Sequence, residues 1–176
     1  CWGYNAHGEL GDGTTTNRTT FVNVSSLTNL VQIDSGVYHS CGVRRDGTVW
    51  CWGYNGYGQI GDGTGTSRTT PVQVTNLFNA TRVATGGNHT CAIRTGGTVW
   101  CWGYNGYGQL GNGTTADRVL PVPVPGLTGA VELSAGFNHT CARISDGTVR
   151  CWGYNQYGQL GDNSTSNRYS PVAVSG

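Results

Sequence analysis

The residues of this 176-residue chain that could do chemistry recur at a fixed interval. His39-Ser-Cys41, His89-Thr-Cys91 and His139-Thr-Cys141 each set an imidazole two residues before a thiol, and a second cysteine follows ten residues on, at Cys51, Cys101 and Cys151. Metal ligation and disulfide formation both use such groups. A metal would receive three ligands per unit, without the short Cys-x2-Cys spacing of structural zinc sites, and neighbouring strand positions crowd a tetrahedron. We therefore expect no metal and no cofactor. For the histidines the simpler role is a ring that hydrogen-bonds the backbone after the tight glycine turns at Gly36, Gly86 and Gly136.

Asp12, Asp62 and Asp162, with Asn112 in the third copy, are followed six residues later by Arg18, Arg68, Arg168 and Arg118. An active site gathers different groups at one point, whereas repeated groups are spread around a repeat architecture by the fold itself. These pairs read as loop staples; anion binding by the arginines and cation binding by the Asp-Gly-Thr turns are the alternatives. No Ser/His/Asp set, phosphate loop or carboxylate pair stands out, so no catalytic residue is assigned and an enzyme is not expected.

The elements that position these residues follow from the period. A string close to Cys-Trp-Gly-Tyr-Asn-Gly-Tyr-Gly-Gln-Leu-Gly starts at Cys1, Cys51, Cys101 and Cys151, and the copies align without insertion or deletion. Such self-similarity marks an array of supersecondary units. Apolar residues alternate, as in Val31 and Ile33 around Gln32, and no window sustains helical spacing. The chain is all-β. Strands are expected at 30–34, 39–44, 48–53 and about 71–74, then at 80–84, 89–94, 98–103 and 121–124, and again at 130–134, 139–144, 148–153 and 171–174.

Asp46-Gly47 supplies the tight reversal of a hairpin, with Gly97 and Gly147 at the same place. A turn centred on residue 46 sets Cys41 opposite Cys51, Val43 opposite Val49, and Gly42 opposite Trp50, where the small residue makes room for the large one. The same rule pairs Cys91 with Cys101 and Cys141 with Cys151. Directly opposed β-carbons lie about 4.5–5.5 Å apart, near the span of a disulfide. Three cross-strand disulfides are predicted, each worth on the order of 3 kcal/mol in the chain-entropy picture. Cys1 is left unpaired. Such bonds persist in oxidising compartments, so the protein is expected to be secreted, periplasmic or at a cell surface.

Pro71, Pro121, Pro123 and Pro171 confine the fourth strand of each unit to a sheet edge. The units are then four-stranded antiparallel blades of a β-propeller. Residues 1–26 form a half-blade of outer strands, and blades 1, 2 and 3 occupy 27–76, 77–126 and 127–176. The open flank around Cys1 predicts either flanking copies of the repeat or self-association there.

The run Trp-Gly-Tyr-Asn-x-Tyr-Gly-Gln-Leu-Gly-Asp-Gly-Thr, then Arg-x-x-Pro-Val-x-Val, then Gly-x-x-His-Thr-Cys-Ala, resembles the repeat of the regulator of chromosome condensation family. The resemblance covers the whole chain and implies blades of a seven-bladed propeller, for which about 350 residues of such repeats are needed. It therefore points to a segment of a longer propeller or array. Members of the family include a nucleotide-exchange factor for a small GTPase, a light sensor and an inhibitor of β-lactamases, which share recognition of another protein. The cysteine-bearing variety is similar to repeats of secreted or surface-associated bacterial proteins.

Ten arginines against nine acids, with no lysine, leave a formal charge of +1 and no field for nucleic acid or an acidic membrane. No apolar run approaches the roughly 20 residues of a membrane helix, and no signal peptide or initiator Met is present, as in a mature or excised piece without membrane insertion. Function is sought where the copies differ on one face, in Val37-Tyr38, Gly87-Asn88 and Phe137-Asn138, and in Ala6-His7, Gly56-Tyr57, Gly106-Tyr107 and Gln156-Tyr157. Tyrosines at loop tips suit protein interfaces. Tyr38 and Phe137 vary between copies and lead the candidates, followed by His7, Tyr57, Tyr107 and Tyr157; for the recurring Tyr57, Tyr107 and Tyr157, packing against the next blade is the simpler role. Arg150 for tryptophan, and Arg143-Ile144 for Ile93-Arg94, mark the third hairpin as different. Glycosylation sequons begin at Asn17, Asn23, Asn79, Asn88, Asn112, Asn138 and Asn163.

The expected function is a non-catalytic extracytoplasmic scaffold that recognises a protein through its loop face. A building block of a surface appendage or filament, tiling through neighbouring copies of the same chain, is the alternative. A guanine-nucleotide exchange factor, by family analogy, is third.

Overall fold

The structure is a computed structural model that describes residues 1–175. Gly47 (φ 78°), Gly97 (φ 76°) and Gly147 (φ 90°) take the left-handed conformation that closes each central hairpin. The Asp46 carboxylate fastens the first of these turns by accepting from the Thr48 backbone N–H (3.0 Å) and hydroxyl (2.6 Å). Around the hairpins lie twelve strands. Blade 1 contains β1 (Leu30–Ser35), β2 (His39–Arg44), β3 (Val49–Gly53) and β4 (Arg68–Gln73). Blade 2 contains β5 (Ala80–Thr85), β6 (His89–Arg94), β7 (Val99–Gly103) and β8 (Arg118–Pro123), and blade 3 contains β9 (Ala130–Ala135), β10 (His139–Ile144), β11 (Val149–Gly153) and β12 (Arg168–Ala173).

Each blade is one antiparallel sheet with its strands in chain order, and the proline-bearing strand lies at the outer edge. Residues 1–22 supply an outer pair: Gly3 bridges Arg18, and Cys1 and Val22 exchange backbone hydrogen bonds at 2.8 and 2.7 Å. Cys41 faces Cys51, Cys91 faces Cys101 and Cys141 faces Cys151, each pair disulfide-bonded with Cα atoms 4.1 Å apart. Cys1 is free.

Two local expectations need correction. The fourth strand starts at Arg68, Arg118 and Arg168, three residues before Pro71, Pro121 and Pro171, because a bulge of two extra residues in the fourth strand lets the ladder resume with Gly53, Gly103 and Gly153 opposite those arginines. Gly42 makes room for Leu30 and not for Trp50: a β-carbon there would lie 2.7 Å from the Leu30 side chain. The second and third blades carry Ala80 with Ala92 and Ala130 with Ala142 in place of Leu30 with Gly42, so the filled volume is shared differently.

The core lies between blades. Val43, Val49 and the Cys41–Cys51 pair pack against Val83, Ala92 and Trp102, and the equivalents of blade 2 pack against Ala142 and Trp152. Polar clasps cross the same interfaces. His39 Nε2 meets Thr90 Oγ1 at 2.7 Å and His89 Nε2 meets Thr140 Oγ1 at 2.9 Å. The histidines thus bond the next blade's hydroxyl, and not the backbone after the glycine turn. Thr90 spends its own hydrogen on the Gln59 carbonyl (2.8 Å), so His39 must donate, which fixes the Nε2–H tautomer and leaves Nδ1 buried without a partner. Blades 1 and 2 are stitched further. The Gln32 amide exchanges two 2.7 Å bonds with the Val83 backbone, and Asp34 accepts from the Thr85 N–H at 2.7 Å.

Candidate functional site

The loops that follow the third strand of each sheet, and of the half-blade, are built on one buried asparagine. Asn5, Asn55, Asn105 and Asn155 accept from the backbone N–H of Leu10, Ile60, Leu110 and Leu160 at 2.8–3.0 Å. The Asn55 amide also donates to the carbonyls of Thr64 and Thr66, both at 3.0 Å, so one side chain holds both limbs of the loop. Gly58 (φ 80°) lets the loop backbone lie against the following blade, where a β-carbon would come within 2.6 Å of Val119 Cα.

Arg18–Asp12 (3.0 Å), Arg68–Asp62 (2.6 Å) and Arg168–Asp162 (2.6 Å) close the loop bases. The Thr14 hydroxyl, then the Thr14 backbone N–H and Arg18, hold the Asp12 carboxyl down to about 2 against the opposing effect of burial, and Arg168 foremost does the same for Asp162, also to about 2. At Asp62 burial is the largest influence and acts upward, but Thr64 and Arg68 outweigh it and the shift is downward. These groups are consumed as staples. In the third copy Asn112 bonds Thr114, and Arg118 has no ion-pair partner among the described residues.

The result is a continuous aromatic row. His7 lies 4.9 Å from Tyr54, Tyr54 6.3 Å from Tyr57, and Tyr57 4.9 Å from Tyr104, measured between ring centroids. The row continues through Tyr107 (6.1 Å), Tyr154 (4.9 Å) and Tyr157 (6.0 Å). Tyr38 joins at the first end, 6.5 Å from His7 and 6.1 Å from Tyr54. Most contacts are edge-on or tilted, the arrangement that sets ring edges against ring faces. Tyr57, which touches Tyr104 of the next copy, remains 39% exposed, and Tyr107, which touches Tyr154, is half-buried, so rings that touch the next copy still face solvent. Burial above all raises the Tyr104 and Tyr154 phenols, which therefore stay neutral donors.

The structure brings His7, Tyr38, Tyr57, Tyr107 and Tyr157 together and leaves Phe137 apart. The Phe137 ring lies over Gly87, and its carbonyl accepts from the Gly87 N–H at 3.0 Å, beside Val37 and the glycine turns at the inner strand ends. Tyr54, Tyr104 and Tyr154, which link the row, were not among the sequence candidates. Their signal was the tyrosine shared by every Trp-Gly-Tyr-Asn copy, with a second ring three residues on. Gly56 and Gly106 allow these tyrosines to fold back over the loop, since a β-carbon at either would collide with the hydroxyl of Tyr54 or Tyr104. In the fourth copy, Gln156 Oε1 accepts from the Tyr154 hydroxyl at 2.8 Å.

The regulator of chromosome condensation (RCC1) repeat model matches residues 1–43, 46–93, 96–143 and 146–176, and a second model of that repeat matches 30–59, 80–109 and 130–159. No curated protein matches the chain by sequence. Among solved structures, human WBSCR16 is 26% identical with a TM-score of 0.84, covering 99% of this chain and 47% of its own. Prp20p of Saccharomyces cerevisiae is 19% identical, with a TM-score of 0.84 and coverage of 99% and 45%. The ectodomain of the Physcomitrella patens receptor kinase CR4 is 22% identical, with a TM-score of 0.51 and coverage of 74% and 31%. The chain spans less than half the length of these proteins and forms a partial propeller. Matched in four successive copies and folded into blades that follow those of WBSCR16 and Prp20p, the chain belongs to the regulator of chromosome condensation (RCC1) repeat family.

Proposed function

We propose that this chain is a non-catalytic protein-recognition scaffold and that the aromatic row of its loop face is the contact surface. The observation that carries this reading is the unbroken run of rings from His7 to Tyr157, held on buried asparagines. Tyrosine presents a large, stiff contact area at small entropic cost. His39 and His89 are engaged in blade clasps, and Asp12, Asp62 and Asp162 with their arginines in loop staples. Three disulfides are those of a protein that matures in an oxidising, extracytoplasmic environment. A secreted or surface setting, in a bacterial protein of the cysteine-bearing variety, is part of this proposal. It sets aside the cytosolic exchange-factor reading; the formal charge of +1 offers no field for nucleic acid, and among the described residues no helix is long and apolar enough to cross a membrane. A yeast member of the family has been solved with Kap60 bound, which supports partner recognition as a use of such propellers.

The alternative of a tiling building block is favoured by the His–Thr clasp, which repeats unchanged between successive blades. The test is co-purification from the producing cells with the disulfides intact, comparing the native chain with a Tyr57→Ala, Tyr107→Ala variant. A partner held by the first and lost from the second, at unchanged thermal stability, supports recognition through the row. Equal retention by both, or recovery of nothing but further copies of the chain, would overturn it.

A further inference from the structure

The first copy breaks the loop-face pattern at three positions that meet in space. It reads His7-Gly8-Glu9 where the others read Tyr-Gly-Gln, and Tyr38 stands where Asn88 and Asn138 stand. In the second copy the Gln59 amide is used twice, Oε1 accepting from the Tyr57 N–H at 3.0 Å and Nε2 donating to Asn88 Oδ1 at 3.1 Å. Gln109 repeats this with Tyr107 and Asn138 at 3.0 and 3.4 Å. Glu9 keeps half of the arrangement. Its Oε2 accepts from the His7 N–H at 2.9 Å, while Oε1 is enclosed without a partner.

Glu9 is only 8% exposed, and no cation pairs with it among the described residues, whereas Asp12, Asp62 and Asp162 each hold an arginine. An enclosed carboxylate without a counter-charge costs stability that glutamine would not. Departures of this kind from a locally consistent pattern concentrate at functional sites.

The surroundings supply a specific recognition chemistry. The rings of His7, Tyr38 and Tyr54 lie within 6.5 Å of one another, and the His7 backbone N–H holds the Glu9 carboxylate beside them. Aromatic faces attract cations, and a carboxylate short of one donor suits the planar fork of a guanidinium, which also stacks on rings. We propose that the cluster of His7, Tyr38 and Tyr54 receives an arginine side chain of the partner protein, its guanidinium donating to Glu9 and its plane lying against the rings. The site rests on the recognition reading above and gives it a chemical specificity. Tyr38, in the place of the missing amide partner, is exposed.

The test is a titration of the isotope-labelled, disulfide-intact chain with Nα-acetyl-arginine amide, followed by NMR, with the citrulline counterpart as the uncharged isostere. Saturable shifts at His7 and Tyr38 are expected with arginine and not with citrulline. Glu9→Gln places the residue found at 59, 109 and 159, so the chain should fold at least as stably while arginine binds about tenfold more weakly. Tyr38→Asn, which restores the standard amide, should also weaken binding. No saturable shift, an equal response to citrulline, or unchanged affinity in Glu9→Gln would overturn the proposal. Each of those results leaves the dependence of partner retention on Tyr57 and Tyr107 standing, so the two readings fail separately.

Discussion

His39 of blade 1 donates from Nε2 to the hydroxyl of Thr90 in blade 2, and that hydroxyl passes its own hydrogen to the Gln59 carbonyl, which Trp102 Nε1 also reaches at 2.8 Å. A strand, the next blade and the intervening loop are tied at one point. Thr90→Val keeps the shape and removes the acceptor, leaving a buried imidazole N–H with nothing to bond. A loss of about 1–3 kcal/mol is expected in denaturant unfolding. Thr140→Val should behave alike at the next interface.

The same histidines set the response to acid. Burial lowers His39 and His89 to about 3, from an ordinary value of 6.5, the charges of His39 and His139 adding to the effect at His89. Between pH 6.5 and about 3 the unfolded chain binds protons that the folded chain refuses, so folding stability rises with pH across that window. The contribution is complete above 6.5. Asp12 and Asp162, lowered from 3.8 to about 2, add stability that fades only as the pH falls from 3.8 through 2. Melting temperature against pH should therefore decline first below 6.5 and again below 4, and Thr90→Val should not abolish the first decline, because burial and not the hydroxyl is its cause.

Non-reducing mass mapping should recover peptides linked 41–51, 91–101 and 141–151, with Cys1 alone open to alkylation. Replacing Cys91 and Cys101 together by alanine should cost about 2–4 kcal/mol in denaturant unfolding.

The third loop lacks one staple. Asn112→Asp would put a carboxylate beside Thr114 and give Arg118 the partner that Arg18, Arg68 and Arg168 already have. Arg118 is exposed, so a gain of no more than about 1 kcal/mol is expected, readable as a small rise in melting temperature at low salt that shrinks at high salt.

Much of the blade could be read in the chain. Asp46-Gly47 placed a turn, the turn set the register, and the register put Cys41 across from Cys51 without any knowledge of neighbouring blades. Pro71 and its counterparts marked the outer edge for an equally local reason, the missing N–H. The start of β4 was harder to see, because the bulge between Arg68 and Val72 depends on how Gly53 meets Arg68.

The candidate site divides in the same way. That tyrosines at loop tips gather on one face follows from the repeat, but their contacts join residues about 50 apart and depend on how far one blade is turned from the next. Phe137 shares a loop set with Tyr38 yet faces the inner strand ends, a distinction that only its packing over Gly87 decides. The partners of the histidines were out of reach for the same reason. A sequence with period-2 alternation and glycine turns determines hydrogen-bonded sheets, since strand pairing is local and directional. Which side chain meets which across two sheets is set by the rotation and spacing of the blades, and those come from the close packing of Val43, Cys41–Cys51 and Trp102 in three dimensions.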